Sequence, residues 1–215
     1  MTKLGLIFDV DGTLCNTTSV VLKVWGKVLD NMEYPHREMT IDFIKQYMGK
    51  PIDDWARGIM PEIDLSISCP IVEECCQQEY KEIDRNGTAL YPHVHDVFKQ
   101  LSEKYHLYIL SNCGQGYIER IMKQADIETY VDGHLCFGDT GLDKPDNIKL
   151  LVKEQRLTSC AYIGDTERDQ KCCIEAGVPF IHAAYGFGEI QNYHYTIQNL
   201  KELPKVAENI FMLNE

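Results

Sequence analysis

The apolar positions of this chain change texture along its length. Residues 4–8, Leu-Gly-Leu-Ile-Phe, form a nearly unbroken apolar run, which predicts a strand buried on both faces, as in a parallel sheet flanked by helices. The run stops abruptly at Asp9-Val10-Asp11-Gly12-Thr13. From residue 17 the period lengthens. Val20, Val21, Val24, Trp25, Val28 and Leu29 line one face of a helix. Ile41, Ile44 and Met48 keep the same period over 39–47, Gly49-Lys50-Pro51 breaks it, and Ile52, Trp55, Ala56 and Ile59 resume it. A further helix is predicted over 69–83. No strand pattern interrupts residues 17–88.

From residue 90 onward strands and helices alternate. Helices are predicted near 93–104, 115–124, 143–155, 167–176 and 204–212, with strands near 105–110, 134–137, 159–163 and 178–182. The pattern therefore predicts an α/β fold with a parallel sheet, formed by residues 1–16 and 89–215, into which an α-helical domain over 17–88 is inserted. There is no internal repeat or low-complexity segment.

Composition narrows the class of protein. A chain of 215 residues with 44% hydrophobic content can fill a substantial core. Its formal net charge of -12 repels phosphate-rich surfaces, so neither a nucleic-acid polymer nor an anionic membrane is expected as a partner. An anionic substrate needs a locally positive pocket. The first apolar run is short and broken by acids, unlike a signal peptide, and no window reaches a membrane-spanning length. The nine cysteines are odd in number, include the adjacent pairs Cys75-Cys76 and Cys172-Cys173, and contain no C-x-x-C. Reduced thiols and a cytoplasmic location are the expectation. His93-Val94-His95 has a spacing that two metal-binding imidazoles could use, but it lies at a helix start apart from the other polar motifs, and metal is not expected there.

Three predicted strands end in polar residues: Asp9 and Asp11, Ser111 and Asn112, and Asp165. In open parallel sheets the ligand sits outside the carboxyl ends of the strands, so these sequence-distant residues are expected to converge on one crevice. Asp9 and Asp11 have strand spacing and share a side if the strand continues that far. Two close carboxylates repel unless a cation lies between them or one keeps a proton. Asp-Gly-Thr is also an ordinary turn sequence. Lys144, at a predicted helix N-terminus, opposes the helix dipole, which points to an anion held nearby. Pro145 and Asp146 alone would make an ordinary helix start. Thr166 and Asp169 have capping-box spacing, which a functional role does not preclude.

Asp9-x-Asp11-Gly12-Thr13, Ser111-Asn112, Lys144-Pro145 and Gly164-Asp165-x-x-x-Asp169 together resemble, in order, the four motifs of the haloacid dehalogenase superfamily phosphatases. The resemblance covers nearly the whole chain. The helical insertion resembles the small cap of the phosphoglycolate phosphatase and beta-phosphoglucomutase branch, which implies a Rossmann-like three-layer core with a cap. By this resemblance Asp9 is the nucleophile and Asp11 the general acid and base. Ser111, Asn112 and Lys144 hold the transferring phosphoryl group. Mg2+ is bound through Asp9, Asp165, the backbone carbonyl of Asp11, and Asp169, which ligates or orients. An acid at position 11 favours phosphate esters over carbon-halogen bonds, because an ester oxygen must be protonated as it leaves.

The implied activity is Mg2+-dependent hydrolysis of a small phosphorylated metabolite. A sugar-phosphate mutase and a non-catalytic binding protein are the alternatives, and oligomeric state is not readable. Lys50 and Arg57 either form a cap specificity loop or are exposed cations at a helix-helix turn. The Tyr185-Gly186-Phe187-Gly188 loop either borders the pocket or serves packing.

Overall fold

A computed structural model of the chain describes residues 2–212. In chain order, β1 (Leu4–Phe8) and a short β2 (Cys15–Asn16) precede four helices, α1 (Thr18–Asp30), α2 (Ile41–Tyr47), α3 (Ile52–Ile59) and α4 (Leu65–Asn86). After β3 (Ala89–Leu90) come α5 (Val94–Ser102), β4 (His106–Ser111), α6 (Tyr117–Ala125), β5 (Gly133–Cys136) and the single turn α7 (Phe137–Thr140). The chain finishes with α8 (Lys144–Glu154), β6 (Ser159–Gly164), α9 (Glu167–Ala176), β7 (Phe180–Ala183), β8 (Tyr195–Ile197) and α10 (Leu203–Met212). It divides into two compact units, residues 1–15 with 90–215, and residues 16–89.

The first unit is a three-layer, Rossmann-like α/β fold. Its sheet has six strands in the order β5-β4-β1-β6-β7-β8, and every pairing is parallel. β1 is central, with Phe8 opposite Ile109 on one side and Ile163 on the other. Alternation along the strand separates two cores. Ile7 packs with Tyr108, Leu110 and Tyr162 against Ile148 and Leu151 of α8 and Cys172 and Cys173 of α9. Phe8 turns to the other face, where its ring lies 4.5 Å from that of Phe98 on α5. Tyr105, just before β4, meets Phe211 of α10 at 5.2 Å. Burial on both faces explains why β1, β4 and β6 read as unbroken apolar runs.

The second unit is all helical apart from its ends, Asn16 and Ala89. Trp25 of α1 and Trp55 of α3 have ring centroids 4.7 Å apart, and Tyr47 of α2 lies 5.5 Å from Trp55. The Trp25 indole N–H donates to the buried Glu79 carboxylate of α4 at 2.8 Å, which satisfies both polar groups inside the bundle.

Three sequence expectations need correction. Phe137 opens α7 rather than ending a strand. α4 begins at Leu65, not at residue 69, because Asp64 caps it by accepting the Ser66 N–H at 2.9 Å. Pro70, which lies inside the helix, is the break that hid the first turn. β8, one of the two edge strands of the sheet, was not expected: three residues are too few to display alternation.

Candidate active site

The carboxyl ends of β1, β4 and β6 and the N-termini of α8 and α9 meet at one place. The Asp9 N–H still donates to the Ile163 carbonyl at 2.9 Å, so Asp9 keeps the sheet register one residue past β1. The residue is 2% exposed. Lys144, the first residue of α8, is equally buried, with Nζ 3.1 Å from Asp9 Oδ1 and 2.7 Å from Asp169 Oδ1. Asp169 is fixed by the start of α9. Its Oδ2 accepts from the Thr166 N–H at 3.0 Å and from the Thr166 hydroxyl at 2.5 Å, while its own N–H donates to Thr166 Oγ1 at 3.1 Å. The capping box thus orients a charged group as well as closing a helix.

Asp165 follows β6 and is fully buried. Its Oδ2 accepts the Phe187 N–H at 2.7 Å, and its Oδ1 has no hydrogen-bond partner. Two glycines make this burial possible. A Cβ at Gly12, where φ is +83°, or at Gly186 would overlap the Asp165 side chain. Among the described residues, one group of three metal-capable side chains converges: carboxylate oxygens of Asp9, Asp165 and Asp169 lie within 4.8 Å of one another.

Electrostatics divides the cluster. Burial pushes the Asp9 carboxyl up to about 7, Lys144 pulls it back, and the Asp169 and Asp11 charges add to the rise. Burial also raises Asp165 strongly, reinforced by Asp169 and Asp9. Burial acts upward on Asp169 as well, but the Lys144 charge and the hydrogen bonds from Lys144 and Thr166 outweigh it, so its pKa is lowered. For Lys144 burial acts downward and the Asp169 and Asp9 charges overcome it, leaving the ammonium firmly charged. Lys144 and Asp169 form a settled ion pair, whereas the raised Asp9 and Asp165 carboxyls keep a proton to higher pH than ordinary carboxyls, and their ionised forms together need more positive charge than Lys144 supplies. Hard oxygen donors and the partnerless Asp165 oxygen fit a small divalent cation such as Mg2+.

Ser111 ends β4 and Asn112 follows it, both buried beside this cluster of strand ends. Asp11 lies in a turn held by the Thr13, Leu14 and Cys15 N–H groups, all donating to the Val10 carbonyl at 2.7 to 3.2 Å. The strand stops at Phe8, so this turn, rather than strand alternation, sets the Asp11 direction. The Tyr117 hydroxyl donates to Asp11 Oδ1 at 2.8 Å.

Lys50 and Arg57 belong to the other unit. Lys50 Nζ lies 4.1 Å from the centroid of the Tyr47 ring. Arg57 reaches Asp53 at 3.7 Å with both side chains about half exposed. Sequence reasoning missed Tyr117 and left the loop at Gly186 and Phe187 undecided. Gly186 follows a strand end and is a glycine, which was the available signal for close approach. Tyr117 had none beyond its place at the start of the helix after Ser111-Asn112.

Residues 6–183 match the family described as haloacid dehalogenase-like hydrolase. Among curated proteins, the chain is 24% identical over 213 residues to a phosphoglycolate phosphatase from Shigella boydii, covering 85% of this chain and 82% of that one. Two crystal structures, each with only a predicted assignment as phosphoglycolate phosphatase, share the fold. The one from Lactobacillus plantarum has a TM-score of 0.82 at 20% identity, covering 96% of this chain and 100% of that one. The one from Haemophilus somnus has a TM-score of 0.81 at 18% identity, covering 96% and 98%.

Proposed function

The chain belongs to the haloacid dehalogenase-like hydrolase family, and from that premise we propose that it is a Mg2+-dependent phosphatase of small phosphorylated metabolites working through an aspartyl-phosphate on Asp9. The observation that carries this reading is the charge imbalance at the strand ends. Asp9 lies against a buried lysine, 3.1 Å away, while Asp165 keeps a buried oxygen without a partner.

In the first step an Asp9 oxygen bonds to phosphorus as the ester P–O bond breaks. The bonding pair leaves with the ester oxygen, which takes a proton from the Asp11 carboxyl. In the second step Asp11, now a carboxylate, accepts a proton from water as the water oxygen bonds to phosphorus. The bond to Asp9 breaks, the Asp9 carboxylate is regenerated and inorganic phosphate is released. Lys144, the Ser111 hydroxyl and Asn112 hold the non-bridging oxygens in line, which is the greater part of catalysis in phosphoryl transfer. Asp9, Asp165 and the Asp11 carbonyl would hold Mg2+, with Asp169 adding charge and fixing Lys144. Bound there, the ion offsets repulsion between Asp9 and the substrate and polarises the phosphoryl group.

The likeness to the Shigella boydii phosphoglycolate phosphatase puts phosphoglycolate first in a substrate panel with sugar phosphates and nucleoside monophosphates. Phosphate release is measured with and without Mg2+ for the native chain and for Asp9→Asn. The reading requires Mg2+-dependent release by the native chain and none by folded Asp9→Asn. Release that survives Asp9→Asn refutes the nucleophile, and absence of release with interconversion of sugar-phosphate isomers replaces the hydrolase by a mutase.

A further inference from the structure

We propose that Tyr117 is a positioning residue for proton transfer, its phenol holding the Asp11 carboxyl in the orientation from which the leaving oxygen is protonated; this rests on the phosphatase reading above. The backbone of the turn at Asp11 is already fixed by the bonds to Val10 and by the Gly12 N–H donating to the Cys15 carbonyl at 2.9 Å. The remaining freedom of Asp11 is rotation of its side chain. The phenol hydrogen bond at 2.8 Å restricts that rotation. The Cys15 thiol, 4.0 Å from the same oxygen, is a weak competitor at that distance. With Oδ1 engaged by the phenol, the proton bound for the leaving oxygen is carried on Oδ2.

The chain places Tyr117 there by a specific device. Gly116 adopts φ 84°, a left-handed conformation suited to glycine, immediately before α6. That turn reverses the segment leaving Ser111-Asn112, so the first helical side chain points back to the turn at Asp11. Tyr117 is 3% exposed. Phenylalanine would fill the same space, so the hydroxyl is the part of the side chain that packing alone does not require. One residue thus ties the proton carrier to the segment that holds the phosphoryl oxygens. The acid and the reacting phosphorus keep a common frame.

The test uses leaving groups of different basicity. An alkoxide leaves only if protonated, whereas a nitrophenolate departs without help, so loss of acid orientation penalises alkyl esters selectively. The value of kcat/KM reports the step in which the leaving group departs. It is measured for an alkyl phosphate and for p-nitrophenyl phosphate on the same preparation of full-length protein with Mg2+, so that the fraction folded cancels in the ratio. In Tyr117→Phe the alkyl-to-aryl ratio is expected to fall about 10- to 100-fold, a part of the 10²–10⁴-fold that a general acid supplies. In Asp11→Asn it falls further, and adding Tyr117→Phe to that variant changes it little, because the two act through one proton. An unchanged ratio in Tyr117→Phe overturns the proposal, whether both rates fall together or neither does. Full additivity with Asp11→Asn does the same. Native protein without Asp9-dependent turnover of either ester refutes the phosphatase reading itself, a result distinct from an unaltered ratio.

Discussion

Lys144→Met tests whether the buried charges are held together as described. Three buried carboxylates, Asp9, Asp165 and Asp169, share a single buried ammonium, which contacts two of them at 3.1 and 2.7 Å. Methionine keeps most of the side-chain volume and removes the charge. Removing one partner of a buried ion pair costs about 3–5 kcal/mol, since the carboxylate left behind is desolvated and unpaired. At about 2–4 °C per kcal/mol for a chain of this size, the melting temperature should fall by about 6–20 °C. The assay is thermal unfolding followed by circular dichroism at pH 8, in chelator and low salt.

The sign of the pH dependence follows from the carboxyls. Asp9 titrates at about 7 in the folded state against 3.8 ordinarily, so the folded state binds the extra proton and this group lowers stability as pH rises between those values. Asp169 has the opposite sign. Its lowered folded pKa contributes stability above the ordinary value that is lost as pH falls through the folded one. Lys144→Met removes that contribution and drives both carboxyls upward, so the deficit should be largest at pH 8 and shrink toward pH 5. Asp169→Asn added to Lys144→Met should recover a substantial part of it. A variant melting within about 2 °C of native at pH 8, or a deficit that grows toward pH 5, refutes the reasoning.

Saturating Mg2+ should stabilise the native chain by about 2.7 kcal/mol at a hundred times its dissociation constant; Asp165→Asn should abolish that shift in the same melting assay. Ser111→Ala should reduce kcat by about 10²-fold, the scale of one lost hydrogen bond to a charged transition state, with an unchanged melting temperature. Gly12→Ala meets both a left-handed backbone and the Asp165 carboxylate, and should lose about 2–5 kcal/mol in denaturant unfolding. Burial pushes the Cys75 thiol up to about 12 from 9.0, which at pH 8 leaves about a thousandfold less thiolate than an ordinary cysteine would have. Iodoacetamide followed by mass spectrometry should therefore modify the partly exposed Cys69 well before Cys75, and equal labelling would contradict that burial.

The sheet was legible because its chemistry is coarse. β1, β4 and β6 are apolar for about four residues together, and a polar residue ends β4 and immediately follows β1 and β6, so both the parallel sheet and the place where its ends meet could be read from pattern. What escaped depended on few residues or on geometry. β8 is three residues long, and the single turn α7 follows β5 without a gap, so part of it was read as strand. The acids and Lys144 could be named from spacing and from the oddity of a cation at a helix start. Their division of labour could not, because it depends on which oxygen meets which donor. Sequence position separates Asp165, at a strand end, from Asp169, at capping-box spacing, but not the state of their oxygens: both oxygens of Asp169 are engaged by Lys144 and Thr166 while one oxygen of Asp165 has no partner.

That inequality is also the strongest physical sign of a ligand. A fold selected for stability alone gains nothing from enclosing three carboxylates around one ammonium, since isolated buried charge is among the most costly features a core can contain. Here the arrangement is supported from several directions. A capping box orients Asp169, the Phe187 N–H holds Asp165, and Gly12 and Gly186 omit the Cβ atoms that would displace it. Each support acts on a carboxylate, and none supplies a second positive charge. Structure devoted to keeping negative groups close, with the neutralising partner left out, is what a site for a cation requires.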